Sequence, residues 1–392
     1  MQHAIELFIS SMPAEEPLHR ELCLRLAPLV EGGLVRETTP FTEETQEPRS
    51  IGTADVVVVL LGPSAMAEGS VVQTTLDEAL QLEQQRRTVV VPLRARACDV
   101  AQTTLANRNV YPRDGRSLDD PEHQEAVFRD ALAGVLTGIA LCHVTVGDYL
   151  LEREREVLAA AAFRRALAIA DRLVAEDPED HDHLVLLAVT RDRLGDALLA
   201  AGDGPTALVA FENAKRIREQ LVRMEPDHHD KRRALARCHE SIGEVLRAMG
   251  EKPEALAAYR ACLAIREVLA DEAPHEQSKR ELYATFGRIG HVLRAMGDLE
   301  AALDAFRTGM RLVEELATER DEAAAHRAEH ALFCFRVATV LGDGTPLDRA
   351  EARLLLKKSL ELYRDLEERS LLTPAQAIWP PAVEALLDTI DA

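Results

Sequence analysis

Chemistry in this 392-residue chain is first to be sought where its most apolar run ends. The run ADVVVVLL (54–61) leads into GPSAMAEGSVVQTTLDEAL (62–80), which reads as the loop and helix leaving a buried strand. Parallel sheets bind their ligands at that end of their strands, and the stretch carries Glu68 and Glu78 among its acids. A carboxylate there can stabilise positive charge developing on a substrate or move a proton. Asp55 stands at the opposite end of the same run, the wrong end for a ligand site. After the first apolar run the chain reads SSMPAEEP, without the G-x-x-x-x-G-K-[ST] or G-x-G-x-x-G of a phosphate-binding loop.

Histidines form a second set. His181, His183, His228, His229 and His275 recur just after Pro178, Pro226 and Pro274, among aspartates and glutamates. Imidazole and carboxylate together suit zinc, but no two of these histidines stand at the i, i+4 spacing of a helical site. They read as solvated spacers, and no metal is expected. The six cysteines lie far apart with no C-x-x-C, so they read as reduced core residues.

The formal charge is −21, with 12 Arg and no Lys against 21 acids in residues 1–140 and 34 basic against 46 acidic residues after them. No basic cluster is longer than KRR (231–233), which argues against a nucleic-acid partner. No apolar run reaches the roughly 20 residues of a membrane helix. The first residues, MQHAIELFISS, lack the basic flank and apolar segment of a signal peptide, so a cytoplasmic protein with no membrane partner is expected.

The elements that must position these residues fall into two kinds. AIELFIS (4–10), LVRET (34–38), DVVVVLL (55–61) and TVVVPL (88–93) are strand-like and alternate with helical periods at 15–30, 71–85 and 121–136. Continuous apolar strands separated by helices predict a doubly wound α/β domain over 1–140, with a parallel sheet covered on both faces. From 141 a repeat takes over: Gly147, Gly195, Gly243 and Gly290 are spaced 48, 48 and 47. Ala159, Ala207, Ala255 and Ala302 follow in the same register, as do Phe163, Phe211, Tyr259 and Phe306. A fifth, weaker copy carries Ala352 and Leu356. Each unit predicts an antiparallel helix pair, and pairs that cannot bury their apolar stripes alone stack into an all-α solenoid of about five.

Leu194, Gly195, Ala207, Phe211 and Ala214, and again Ile242, Gly243, Ala255, Tyr259 and Cys262, stand at the spacing of tetratricopeptide (TPR) repeats, which residues 141–366 resemble. The family's unit is usually about 34 residues; two extra turns per helix would absorb the difference. TPAQAIWPPAVEALLDTIDA ends the chain as a capping helix, within a last segment at 367–392. The resemblance implies protein–protein interaction. It places Asp192, Asp196, Glu240, Glu244, Gly287 and His291 on the groove, with Arg247 and Arg294 one turn further along. These residues predict an acidic groove that attracts a partner with a basic segment.

ELFISS (6–11), LAPLVEGGLV (26–35), ADVVVVLLGPSAM (54–66), VVVPLRARACD (89–99) and YPRDGRSL (111–118), in that order, resemble a bacterial Toll/interleukin-1 receptor (TIR) domain, a flavodoxin-like fold. Catalytic members of that family cleave NAD between nicotinamide and ribose, using a glutamate directly before a leucine on the helix after the third strand. Counted from Gly62-Pro63, that position is Thr75, before Leu76. A threonine carries no charge. The segment TPFTEETQEPRSIGTADV (39–56) also lacks the family's Pro-Gly pair. The resemblance therefore implies a degenerate, non-catalytic TIR-like scaffold or regulator without a cofactor, in an NAD-linked immune pathway, able to self-associate through that domain. The alternatives are an NAD hydrolase with a relocated acid, Glu78 or Glu68, switched by the solenoid, and a sensor that holds NAD or ADP-ribose uncleaved.

Overall fold

The computed structural model describes residues 5–32, 35–36, 51, 54–67, 69–101, 103–319, 324–342 and 344–391. The chain divides into two compact units, Met1–Ala201 and Gly202–Ala392.

The first unit opens with strand β1 (Ile5–Ser10), a 3-10 turn (Pro13–Glu15), helix α1 (Glu16–Glu31) and the short strand β2 (Val35–Arg36). Strand β3 (Val56–Leu61), helix α2 (Val71–Gln84) and strand β4 (Val89–Arg94) follow. All strand pairs are parallel, in the order β2-β1-β3-β4, with Leu7 opposite Val56 and Val56 opposite Val89. Every residue of β3 is buried, as a β-branched run covered on both sides requires. Val57, Val59 and Leu61 cluster with Val72, Leu76 and Ala79 of α2 on one face. On the other face lies helix α3 (Gln124–Leu151), whose Gly138 sits so close that a Cβ there would stand 2.5 Å from Val91. This is the two-faced parallel sheet that the apolar runs predict.

Helix α3 continues without a break past residue 140, where the sequence places a domain boundary. Its first half packs on the sheet, and its second half packs against α4 (Glu156–Glu176), with α5 (His181–Ala200) completing the unit. Among the described residues α3 is also the one helix long and apolar enough to cross a membrane by length and composition. That corrects the expectation that no apolar stretch reaches such a length: Thr137, Gly138, His143 and Thr145 break the run to the eye without making it polar. In the structure 67 % of its apolar window is buried within the protein.

The second unit is all helical: α6 (Gly204–Met224), α7 (His229–Met249), α8 (Lys252–Glu272), α9 (Glu276–Met296), α10 (Leu299–Glu319), α11 (Ala324–Leu341), α12 (Pro346–Glu368) and α13 (Trp379–Asp391). From α6 to α10 each helix is 21 residues long, so the long repeat is made of long helices and short links. Gly250 and Gly297 end α7 and α9 in the left-handed region at φ 86° and 85°. The repeated glycine and aromatic positions meet: a Cβ on Gly243 would lie 2.6 Å from the Tyr259 ring, and one on Gly290 2.5 Å from Phe306. Ala352 and Leu356 of the weak fifth copy are fully buried on α12. The terminal helix starts at Trp379, with Pro380 and Pro381 in its first turn, where a missing N–H costs nothing. It closes the stack through Phe335 and Trp379, whose rings are 5.8 Å apart.

Among the cysteines Cys142, Cys238, Cys262 and Cys334 are buried, whereas Cys23 is exposed, which corrects its reading as core filler.

Candidate functional site

At the carboxyl end of the sheet, Thr75 lies on the buried face of α2 beside Val72, Leu76 and Ala79. Glu78, three residues on, is exposed. The helical period thus turns Glu78 about 60° away from Thr75, as the geometry of an α-helix requires. Glu68 lies outside the described residues, as does most of the segment 39–56.

An acid that sequence reasoning passed over stands at this end of the sheet instead. Glu15, in the turn straight after β1, is fully buried, and among the described residues neither carboxyl oxygen has a hydrogen-bond partner. It lies over Gly62, at the end of β3, where a Cβ would come within 2.5 Å of Oε1. Burial pushes its pKa up, against the pull of Arg96, whose guanidinium donates to the Ala14 carbonyl at 2.9 Å. A carboxyl whose pKa is raised by burial gives up its proton less readily than an exposed one. Ser11 and His19 meet at the same end of β1, Oγ to Nδ1 at 2.7 Å. The available signal was SSMPAEEP itself, two acids at the start of a helix directly behind a buried strand.

The repeat histidines do local work. His181 and His183 fall in the first turn of α5, and His228 and His229 start α7. His275 caps α9 by accepting from the Ser278 N–H at 3.0 Å. They are helix-start residues, which corrects their reading as loop spacers. Among the described residues no three His, Cys, Asp or Glu side chains are gathered closely enough to hold a metal ion.

Asp192 and Asp196 lie on α5 in the first unit, where Arg193 reaches Asp148 at 3.3 Å and Asp196 at 3.7 Å. The remaining groove residues belong to the second unit. There Glu240 takes a two-pronged contact from the buried Arg266, at 3.2 and 2.7 Å, and a third from Arg288 at 3.0 Å. Glu244 is held by Arg288 at 2.8 Å and by Arg247 at 2.9 Å. Burial alone would raise its pKa, but the two arginines outweigh that and hold it low. The expected acidic stripe is therefore corrected at these two positions: Glu240 and Glu244 are engaged by arginines of α8 and α9 and, for Glu244, by Arg247 of α7 itself. Arg294 sits further out, its Nη1 donating to Thr339 Oγ1 at 3.4 Å.

What α7, α9 and α11, with Lys252 at the start of α8, do line is a half-open cavity of about 770 Å³. Its charged lining is Arg247, Lys252, Arg280, Arg288 and Arg336 against Glu244 and Glu329, five cations to two acids. Tyr283, Ala284, Val292 and Ala295 supply apolar wall. His291 also lines it, with its pKa pushed down to about 4 by burial and then by Arg336, Arg294 and Arg247, so the ring is neutral at pH 7.

No curated protein matches the chain. Among solved structures, BtubC (BKLC) from P. vanneervenii is similar over 63 % of this chain and 87 % of its own, at 12 % identity and a TM-score of 0.47. The nearly identical TPR-like repeats of a Podosopora anserina kinesin light chain are similar over 57 % of this chain and 94 % of theirs, at 16 % identity and 0.43. The Rap conjugation gene regulator of plasmid pLS20, in complex with a Phr peptide, is similar over 77 % of this chain and 66 % of its own, at 15 % identity and 0.38. The tetratricopeptide repeat family model matches residues 235–274. The match covers the later part of α7 and all of α8, the helix pair that supplies Glu240, Glu244, Arg247 and Lys252.

Proposed function

We propose that the chain is a non-catalytic protein-interaction scaffold whose helical repeats hold a partner protein and whose α/β part, resembling a TIR domain, relays or blocks assembly in a cytoplasmic NAD-linked signalling pathway. The observation that carries the repeat half is the cavity between α7, α9 and α11, lined by charged and apolar side chains on rigid helices. Support for the non-catalytic half is local: Thr75 is uncharged and buried, and Glu78 is exposed. Self-association through the α/β part and the absence of a cofactor complete this reading.

The experiment has two arms. The intact chain is incubated with NAD and nicotinamide release is followed; turnover abolished by Glu78→Gln or Glu15→Gln overturns the non-catalytic reading. In parallel, proteins captured by the wild type are compared with those captured by Tyr283→Glu/Val292→Glu. A partner lost from a variant that still unfolds cooperatively supports the scaffold, and identical captures refute it. Glu15 is the observation that favours the enzyme alternative, because a buried carboxyl with a raised pKa at the ligand-binding end of a parallel sheet has the character of a general acid.

A further inference from the structure

We infer that the cavity between α7, α9 and α11 takes a carboxylate-bearing peptide segment, an acidic partner in place of a basic one, with Arg336 as its anchor. The inference rests on the reading of the repeats as a partner-binding surface and names the chemistry of that partner.

Arg336 is the unusual residue. Its guanidinium lies over the Phe333 ring, 4.9 Å from the centroid, and its Nε is buried without a hydrogen-bond partner among the described residues. No carboxylate among the described residues stands within ion-pair distance of it. Gly287 on α9 faces it, and a Cβ there would come within 2.8 Å of Nη1, so the glycine leaves the guanidinium its place. Glu329 acts on the guanidinium only from beyond ion-pair distance, and a buried cation without a close ion pair is costly, a cost that an incoming carboxylate reduces. Lys252 at the rim is likewise without an acid partner among the described residues, its Nζ donating to the Ala295 carbonyl at 2.8 Å.

The other cations are already engaged. Arg247 and Arg288 share Glu244, and Arg280 holds Glu276 at 2.7 Å. Glu329, the second acid of the lining, is pushed toward its neutral form by burial, against Arg336 and Arg280. Two cations, Arg336 and Lys252, are thus left to meet ligand charge. The flanking wall of Tyr283, Ala284 and Val292 suits the carbon stem of an aspartate or glutamate and a neighbouring apolar side chain. Nucleic acid fits poorly, because a long polyanion leaving the cavity meets a chain of formal charge −21, whereas a short acidic segment pairs with the local cations only. The Glu244 carboxylate in the lining, held low by its arginines, disfavours the doubly charged phosphate of a phosphopeptide more than a single carboxylate.

Random twelve-residue peptides displayed on phage are selected on the full chain, and the enriched sequences are measured by fluorescence anisotropy. Enrichment of Asp and Glu is expected, with binding at least about ten-fold weaker for Arg336→Gln, the loss of one charge-assisted contact. Lys252→Gln, at an exposed rim position, weakens it in the same direction and guards against a misfolded Arg336 variant; thermal unfolding of both variants is followed alongside. Enriched peptides that are basic or uncharged, or affinities unchanged in Lys252→Gln and in a folded Arg336→Gln, overturn the inference while leaving the scaffold reading intact. Phosphopeptides or single-stranded RNA binding more tightly than the acidic peptides, with the same dependence on Arg336, also overturn it. Failure to enrich any peptide, together with no captured partner, overturns both.

Discussion

Gly243 on α7 and Tyr259 on α8 are in contact so close that no side chain fits between them: a Cβ on the glycine would stand 2.6 Å from the ring, which is itself fully buried. The same relationship joins Gly147 to Phe163 and Gly290 to Phe306. The repeat's glycine is therefore the socket for the repeat's aromatic. Gly243→Ala is expected to destabilise the protein by about 1–3 kcal/mol through overpacking. Tyr259→Leu in the same chain should restore part of that loss, a coupling readable as a double-mutant cycle in guanidinium unfolding. Gly250→Ala, in open space at φ 86°, should cost about 1–2 kcal/mol with no rescue by Tyr259→Leu, because there the penalty is in the backbone.

Glu240 and Arg266 hold α7 to α8, and Arg266 reaches on to α9 through Thr285 Oγ1 at 2.6 Å. With the arginine side chain 5 % exposed, removing Glu240 leaves it an uncompensated buried charge, whereas removing Arg266 leaves Glu240 paired to Arg288. Glu240→Gln is expected to cost about 3–5 kcal/mol, Arg266→Met less, and the pair Glu240→Leu/Arg266→Met much less than the sum. Equal and additive losses in denaturant titrations would mean that the two charges do not act as a pair.

His330 on α11 is 5 % exposed, and its pKa is pushed down to about 4 by burial and by Lys358, against Glu314. The folded state therefore binds fewer protons than the unfolded state between that value and 6.5, so this stability is complete above pH 6.5 and is lost as pH falls toward 4. For this one group the swing is on the order of 3 kcal/mol. The difference in unfolding midpoint between wild type and His330→Leu should be constant above pH 6.5 and shift against the wild type as pH falls toward 4. Parallel pH profiles would remove His330 from the acid response.

Much of this architecture was legible because the relevant signals are periodic. Gly147, Gly243 and Gly290 with their aromatics recur at fixed spacing, and packing against a ring can be satisfied only by that residue type. The β-branched run at Val56–Leu61 could be little other than a buried parallel strand. The groove was misread for a physical reason: which faces share space follows from repeat spacing, but which charges pair across it depends on long side chains reaching from the next helices. Arg266 and Arg288 come from outside the positions that define the groove, and they turn Glu240 and Glu244 from ligands into struts. Glu15 was invisible for a related reason. An acid two residues past a Met-Pro pair looks solvated until the turn folds it over Gly62.

In the first unit, Arg113 ties the segment after β4 to the helical part. Its backbone N–H donates to Asp130 of α3 at 2.6 Å, and its guanidinium reaches Asp180 at 2.5 Å and Asp182 at 3.5 Å. Asp180 is also the cap of α5, accepting from the His183 N–H at 2.9 Å. Burial alone would raise its pKa, but Arg113 and that N–H outweigh it and hold the carboxyl below its ordinary 3.8. An acid held low contributes stability above its unfolded pKa and loses it as pH falls through the folded value. Arg113→Ala is expected to cost about 1–3 kcal/mol at pH 7, a figure kept modest because the arginine is partly exposed. The gap from wild type should close as pH drops below 4, and amide exchange should rise in the first turn of α5, around His181–Leu184. Faster exchange confined to α1 or β2, with α5 unchanged, would show that Arg113 does not anchor the helical part.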